Sequence, residues 1–395
     1  MKIIGIDDGE DIRKVNKKKI MIISIIILLV VIAIITFIIY CVNKPFRDLL
    51  DKYVLMKNVI ENSTNSISLD EDKNNNVYAY DKYISVLNNN ILKNYNSSGK
   101  LEGEITVEIS NPIMLANGKF LLIAENGQNK IYLISGNEII WKKELEGNID
   151  KITVNKNGYV AVVLSGTTHK SVIQTFDTSG KELFKTYLAS TIAMDVDISL
   201  DNQYLAFSEI NTGATLVQSI IKIVSIPKAK NAEEGSIIYT HQEPTGKLIT
   251  NIKYQESNRL ICMYDDEIYV IKNDSNEKLV GLDEQSTRIS FAGIELNNYV
   301  FRVVEKSSLL NTQTNVEIIN SSNKKNNTYS FDGVTKEIYS YNDKIAINVG
   351  SEVHFIGTNG WLVKKYISKQ EVRKVIMCNS FAGIVYRDKI EIVDI

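Results

Sequence analysis

An all-β chain of repeated four-stranded sheets, led by a single membrane-crossing helix, is what this sequence predicts, and three observations predict it. Residues 20–42 form one uncharged apolar run, IMIISIIILLVVIAIITFIIYCV. From Val77 to Ile395, short runs rich in Val, Ile, Tyr and Phe alternate with clusters of Asn, Gly, Asp and Ser, and helical periodicity is scarce. Those runs recur about every 40 residues, the length of a four-stranded repeat unit.

The apolar run is 23 residues long. At 1.5 Å per residue it extends roughly 35 Å, enough for a bilayer core of about 30 Å. A buried core helix rarely stays apolar on every face for that length. A cleaved signal peptide has a shorter apolar region that ends in small residues, whereas this one ends in bulky ones. Cys41 invites comparison with a lipoprotein signal, but Tyr40 fills the place of the required small residue. One transmembrane helix is therefore expected, with its ends at Ile20 and Val42. Arg13, Lys14, Lys17, Lys18 and Lys19 crowd its N-terminal side. Lys44, Arg47 and Lys52 beyond it are fewer and mixed with Asp48 and Asp51. That asymmetry places the N-terminus in the cytoplasm and the large domain outside. The expected organisation is a cytoplasmic tail (1–19), the membrane helix (20–42), a juxtamembrane helix and linker (43–65) and a repeat domain (66–395).

Composition narrows the function classes. Net charge is −2, and the residues after the tail carry 39 cations against 43 acids. No electrostatic footprint for nucleic acid is present. Cys262 and Cys378 lie in apolar runs far apart, too few for a disulfide scaffold. They read as small buried hydrophobes, with one bridge as the alternative. The abundance of Asn, Ile and Lys and the four prolines resemble proteins of AT-rich Firmicutes, which would make the outside the cell-envelope space. The acidic stretch at 70–76 lacks the glycine and the bidentate glutamate of a calcium loop, since Asn75 and Asp81 stand there, and reads as a polar loop.

Eight runs carry the repeat: YISVLN (83–88), FLLIAE (120–125), YVAVVLS (159–165), YLAFSE (204–209), LICMYD (260–265), YVFRVVE (299–305), IAINVG (345–350) and AGIVYR (382–387). Several continue into a Gly-containing hairpin turn, as in 91–100, 171–181 and 352–360, where Gly or Asn supplies the positive φ of a tight turn. A shared last strand follows in WKKEL (141–145), FKTYL (184–188) and VKKYI (363–367). A closed ring of such sheets is a β-propeller, eight-bladed on this count, with seven blades as the alternative. Ring closure hides the sheet edges. The last copy supplies only three strands, and SISLDE (66–71) is the expected fourth, closing the ring by uniting both ends of the domain.

VDISLDNQYLAFSE (196–209) resembles the strand pair common in WD40 and YVTN propellers, and FDTSGKELF (176–184) resembles the Asp-x-x-Gly-Lys turn of quinoprotein-like repeats. The whole layout resembles uncharacterised single-pass, membrane-anchored propeller proteins of Firmicutes. The resemblance covers about 320 residues and implies fold only. Trp141 and Trp361 are the two tryptophans, where quinoprotein repeats carry one in each blade, so neither a cofactor nor a partner set carries over.

No catalytic or metal-binding constellation is legible. His169, His241 and His354 lack a second ligand at metal spacing. Ser165 near His169 has no visible orienting acid or oxyanion hole. His354 reads as a satisfied sheet residue. Catalytic, cofactor and metal residues are accordingly expected to be absent. Loop length gives a better lead. The second-to-third-strand loops at 210–218 and 306–315 are longer than a hairpin needs, and inter-blade loops 241–250 and 283–288 share their face. The candidate partner-binding rim is Asn211, Thr212, His241, Glu284, Arg288, Leu309, Leu310 and Gln313. The charged insertion 226–236 reads as solvated. The reading is a non-enzymatic module that binds an extracytoplasmic protein or envelope polymer. Alternatives are a quinoprotein-like or glycan-processing enzyme using the axial channel, and a ligand sensor signalling through the helix.

Overall fold

The computed structural model describes residues 17–43, 46, 50, 54, 65–70 and 75–395, apart from 214, 243–245, 257, 273, 274, 283–287 and 308–310. It divides into two units, Met1–Asn58 and Val59–Ile395. The first contains helix α1 (Lys17–Val42). Its segment Met21–Val42 is long and apolar enough to cross a membrane, and none of it is buried. That fits a membrane anchor or a signal sequence. Thr36 donates its hydroxyl to the Ile32 carbonyl at 2.8 Å, which satisfies a polar group inside an apolar helix. Residues 1–16 of the tail, most of the expected juxtamembrane helix and residues 71–74 of the acidic loop lie outside the described residues.

The second unit holds eight antiparallel four-stranded sheets, so eight blades rather than seven. Blades one to seven use consecutive strands over residues 76–106, 112–144, 148–188, 192–242, 249–281, 288–332 and 337–367. Within each, strands A to D run outward from the axis. The eighth takes strands A to C from 374–394 and its strand D from Asn65–Ser68. Asn65 pairs with Ile392 and Ser68 with Lys389, the clasp expected from the missing strand.

The recurring sequence runs are the B strands. Both faces of a B strand pack on neighbouring blades, so residues such as Phe120–Ala124 and Val160–Leu164 are buried without alternation. The core is accordingly eight apolar layers, one at each junction between neighbouring blades. Ile67 of the clasp is buried in the layer between blades eight and one.

The shared hairpin turn has a packing reason as well as a conformational one. In the third blade, the Asp177 carboxylate accepts the backbone N–H of Ser179 at 2.9 Å and of Lys181 at 3.0 Å. Gly180 sits at φ +80°, and a Cβ there would meet the Trp141 ring of blade two at 2.8 Å. Gly99 and Gly360 repeat the arrangement, each at positive φ against the D strand of the preceding blade, at Ser66 and Thr328. The conserved-looking cassette is thus the docking point of one blade on the next.

The insertion at 226–236 is largely exposed, as read, and its first residue docks it on the ring. It opens with a short helix, α2 (Ile226–Lys230), with Pro227 in its first turn. Ile226 is buried in the layer between blades three and four, with Ala229 packed beside it. Cys262 and Cys378 are buried and not joined, as read. His354 is buried, its ring held between the Tyr329 hydroxyl at 3.1 Å and Glu352 at 3.0 Å.

Polar bonds, most of them around the axis, link every neighbouring pair of blades, and the bond between blades one and two reaches the outer C–D turn. The Tyr80 hydroxyl donates to the Gly136 carbonyl at 2.5 Å. Asn117 donates to Val154 O at 3.1 Å and Asn155 to Ser199 O at 3.0 Å. Asp197 accepts Thr153 Oγ1 at 2.9 Å from blade three and Tyr254 N at 2.7 Å from blade five. Gln255 donates to Leu296 O at 2.9 Å, Asn297 N to Asn342 O at 2.8 Å, and Asn342 Nδ2 to Asn379 Oδ1 at 2.7 Å. Lys374 Nζ closes the belt on Val77 O at 3.0 Å.

Two outcomes follow from this packing. Gly180→Ala combines left-handed strain of about 1–2 kcal/mol with the clash on Trp141. Gly127 has a similar φ of +69° but nothing within 4 Å of its Cβ position, so Gly127→Ala carries the strain alone. Denaturant midpoints of the full-length chain should fall at least twice as far for Gly180→Ala; equal shifts would contradict the docking role. The second concerns Asp195, which accepts Ile252 N at 2.9 Å. Burial raises its carboxyl to about 6, with Asp197 adding to the shift and the Ile252 N–H and Lys151 opposing it. The native state therefore holds this proton more tightly than the unfolded chain, and ionisation above pH 6 lowers stability. Asp195→Asn should be the more stable protein at pH 8, by up to ~3 kcal/mol, with the advantage vanishing near pH 4. Melting curves across that range check it, and a pH-independent difference would refute the burial account.

Candidate functional site

Antiparallel blades place the B–C loops and the D–A connections at one end of the ring and the A–B and C–D turns at the other. The described members of the sequence-predicted rim lie toward the B–C end, on two blades. Asn211 ends strand B of blade four and accepts Gly213 N at 2.9 Å, shaping the exposed turn that carries Thr212. His241 lies on strand D of the same blade, where its Nε2 meets Asn276 Nδ2 at 3.0 Å and its ring stacks on Tyr239. Arg288 opens strand A of blade six, and Gln313 lies on its strand C; both are exposed. Glu284, Leu309 and Leu310 fall outside the described residues.

Between these positions the structure adds apolar residues that loop length alone did not single out. Leu216 is 56% exposed, Val217 39% and Leu248 37%. The two loops that carry them are stitched together. Gly246 N donates to Val217 O at 3.0 Å, and the Ser219 hydroxyl bridges Lys247 O at 2.8 Å and Ile249 N at 3.0 Å. Asp265 fixes Leu248 from the next blade, accepting its N–H at 3.2 Å and donating its own N–H to Leu248 O at 3.0 Å. Lys247 pairs with the buried carboxylate of Glu267 and flanks this patch with charge. Apolar side chains held outward on a fixed frame have a solvation cost that burial against a partner relieves. The Leu-Val pair inside the otherwise polar INTGATLVQ loop was the sequence signal.

At the A–B end, a cavity of about 840 Å³ opens on the axis, lined by residues of all eight blades, among them Tyr78, Asn117, Lys156, Lys253, Glu295 and Tyr341. Lys253 lies 3.8 Å from Asp197 and 3.7 Å from Glu295. Burial opposes its charge, but Asp197, Glu295 and Asp195 outweigh burial and hold it protonated, with its pKa raised. Burial pushes the Tyr78 hydroxyl up to about 12. The mouth therefore presents a neutralised ion cluster, amides and tyrosines rather than a free base. No group of three or more His, Cys, Asp or Glu placed to hold a metal ion occurs among the described residues. These axial residues were not legible as a site, because Asp195, Asp197 and Lys253 are separated in sequence and sit in ordinary strand alternation.

Solved structures similar to this chain include BamB from Moraxella catarrhalis, 12% identical with a TM-score of 0.49, covering 85% of this chain and 97% of that one. Hydrazine synthase from Kuenenia stuttgartiensis is 10% identical with a TM-score of 0.42, covering 87% and 99%. Hsv2 from Kluyveromyces lactis is 10% identical with a TM-score of 0.44, covering 75% and 98%. All three scores lie below 0.5, and the propeller is established by its eight sheets rather than by these likenesses. Among curated proteins none matches this chain in sequence. The model of a family described as a family of unknown function, DUF5711, matches residues 57–395, and the chain belongs to that family.

Proposed function

We propose that this chain is a membrane-anchored binding module whose propeller works outside the cytoplasm and captures a protein through the B–C rim of blades four to six. Residues 20–42 are the anchor, residues 1–19 the cytoplasmic tail, residues 43–65 the spacer and residues 66–395 the propeller. The cations before the helix support this orientation. The observation that carries the binding role is the exposed set Leu216, Val217 and Leu248 on two mutually hydrogen-bonded loops. A frame held by backbone bonds loses little conformational entropy on binding, so the apolar contact converts to affinity with small ordering losses. An envelope polymer is the less suited occupant of this rim, since polar chains gain little from leucine. The reading assigns no chemical step to the protein.

In a Cys41→Ser background, Thr212→Cys places the one exposed thiol beside the patch, since Cys262 and Cys378 are buried. A membrane-impermeant maleimide that carries a photoreactive diazirine, added to intact cells and illuminated, should join this chain to one defined protein through whatever residue lies against the patch. Leu216→Asp with Leu248→Asp should cut the adduct about tenfold, and melting curves of the pair and of Leu216→Asp alone, at the more exposed position, show that the loss is not unfolding. Labelling only after permeabilisation would reverse the orientation, and an adduct indifferent to both aspartates would remove the rim from the function.

A further inference from the structure

A second pocket lies on the far side of the ring from the apolar rim, at the B–C end of blades eight, one and two. Its volume is about 360 Å³. Arg373 and Lys374, at the start of strand A of blade eight, and Arg387, in the turn after its strand B, all line it. Arg373 N donates to Val385 O at 2.9 Å, which registers the two ends of that hairpin. The floor is Val77, Tyr78 and Met114 from blades one and two. Three cations thus converge on one concavity, and no Asp or Glu lines it among the described residues. Asp70 and Asp388 are neighbours in sequence but are not part of the wall.

The cations differ in how they are held. Arg373 and Arg387 are exposed, and Arg387 has a contact of its own within the chain. Lys374 is half-buried. Its ammonium gives one hydrogen bond to Val77 O and stands 5.6 Å from the centre of the Tyr78 ring. An ammonium has three N–H donors, so this one retains donor capacity. Burial lowers its pKa, and Glu337 is the one acid that opposes the shift. A desolvated ammonium beside two guanidinium groups is a charge arrangement that an anion stabilises. Arginine forks match the oxygens of a phosphate, and an ammonium adds a compact third contact.

We propose that this pocket binds a phosphate ester, with Lys374 as the inner contact and Arg373 and Arg387 as the outer pair. The volume exceeds that of a bare anion. Met114 and the Tyr78 ring line the pocket where the phosphate's carbon skeleton would lie. The ligand class is therefore a small polyol phosphate, presented free, along a polymer or as a lipid headgroup. The site is independent of the protein-binding rim, being built from other blades.

The full-length chain in neutral detergent micelles is titrated calorimetrically with glycerol 1-phosphate, with inorganic phosphate and with mixed micelles containing phosphatidylglycerol. Saturable binding of glycerol phosphate or of the lipid is expected, tighter than that of inorganic phosphate and weakened by added salt. Response to the lipid alone assigns a headgroup; response to glycerol phosphate assigns a free or polymer-borne ester. Arg373→Gln with Arg387→Gln should weaken binding about tenfold without changing the melting temperature, because both side chains are exposed. Lys374→Met should remove it, and its melting curve shows whether the fold persists. Absence of saturable binding to all three probes, or equal affinity in the double arginine variant, overturns the site while leaving the apolar rim untouched.

Discussion

Each blade hides both of its faces against its two neighbours, so no sheet in this domain has a core of its own. The eight apolar layers exist only if the ring is complete. Completion depends on four residues, Asn65–Ser68, that come before the first blade and pair with the last. They fill the outer edge of blade eight, cover its unpaired N–H and C=O groups, and add Ile67 to the layer shared with blade one. The same four residues join the propeller to the segment that leads back to the apolar helix.

The polar belt around the axis serves the same end by different chemistry. Apolar layers resist separation of blades but do little to fix their angle. Directed bonds such as Asp197 to Tyr254 N and Gln255 to Leu296 O set each A strand against the next. Buried donors and acceptors left unpaired are costly, so the belt penalises any slip between blades. With the scaffold fixed, the loops at the B–C end are free to differ. Blades four and five use them for an apolar rim, and blades eight, one and two for a cationic pocket. The apolar rim and the cationic pocket therefore lie at separate places on one ring.

Much of this fold is legible in the sequence because burial on both faces makes B strands continuous apolar words, such as FLLIAE and YVAVVLS, at a fixed spacing. The blade count and the clasp follow from counting those words and noticing the missing fourth strand. The D-strand cassette is legible for a related reason, since Gly99, Gly180 and Gly360 each need positive φ and close approach. The sites are far less legible. Asp195, Asp197 and Lys253 meet only because blades four and five are neighbours in the ring, and Arg373 and Arg387 only because a hairpin returns. The charge of the insertion 226–236 made its exposure legible but not the single buried residue, Ile226, that docks it. Loop length placed Asn211 and Thr212 at the B–C end of the ring without revealing Leu216 and Leu248 beside them.

Amide hydrogen exchange on the full-length chain tests closure most directly. If the ring is clasped, the amides of residues 65–68 and 389–394 exchange on the timescale of global opening, together with those of the buried strand Val160–Ser165. If residues 65–68 instead exchange within seconds, as a free tail would, while Val160–Ser165 stays protected, the ring is not closed by its N-terminal strand and the account built on that closure is wrong.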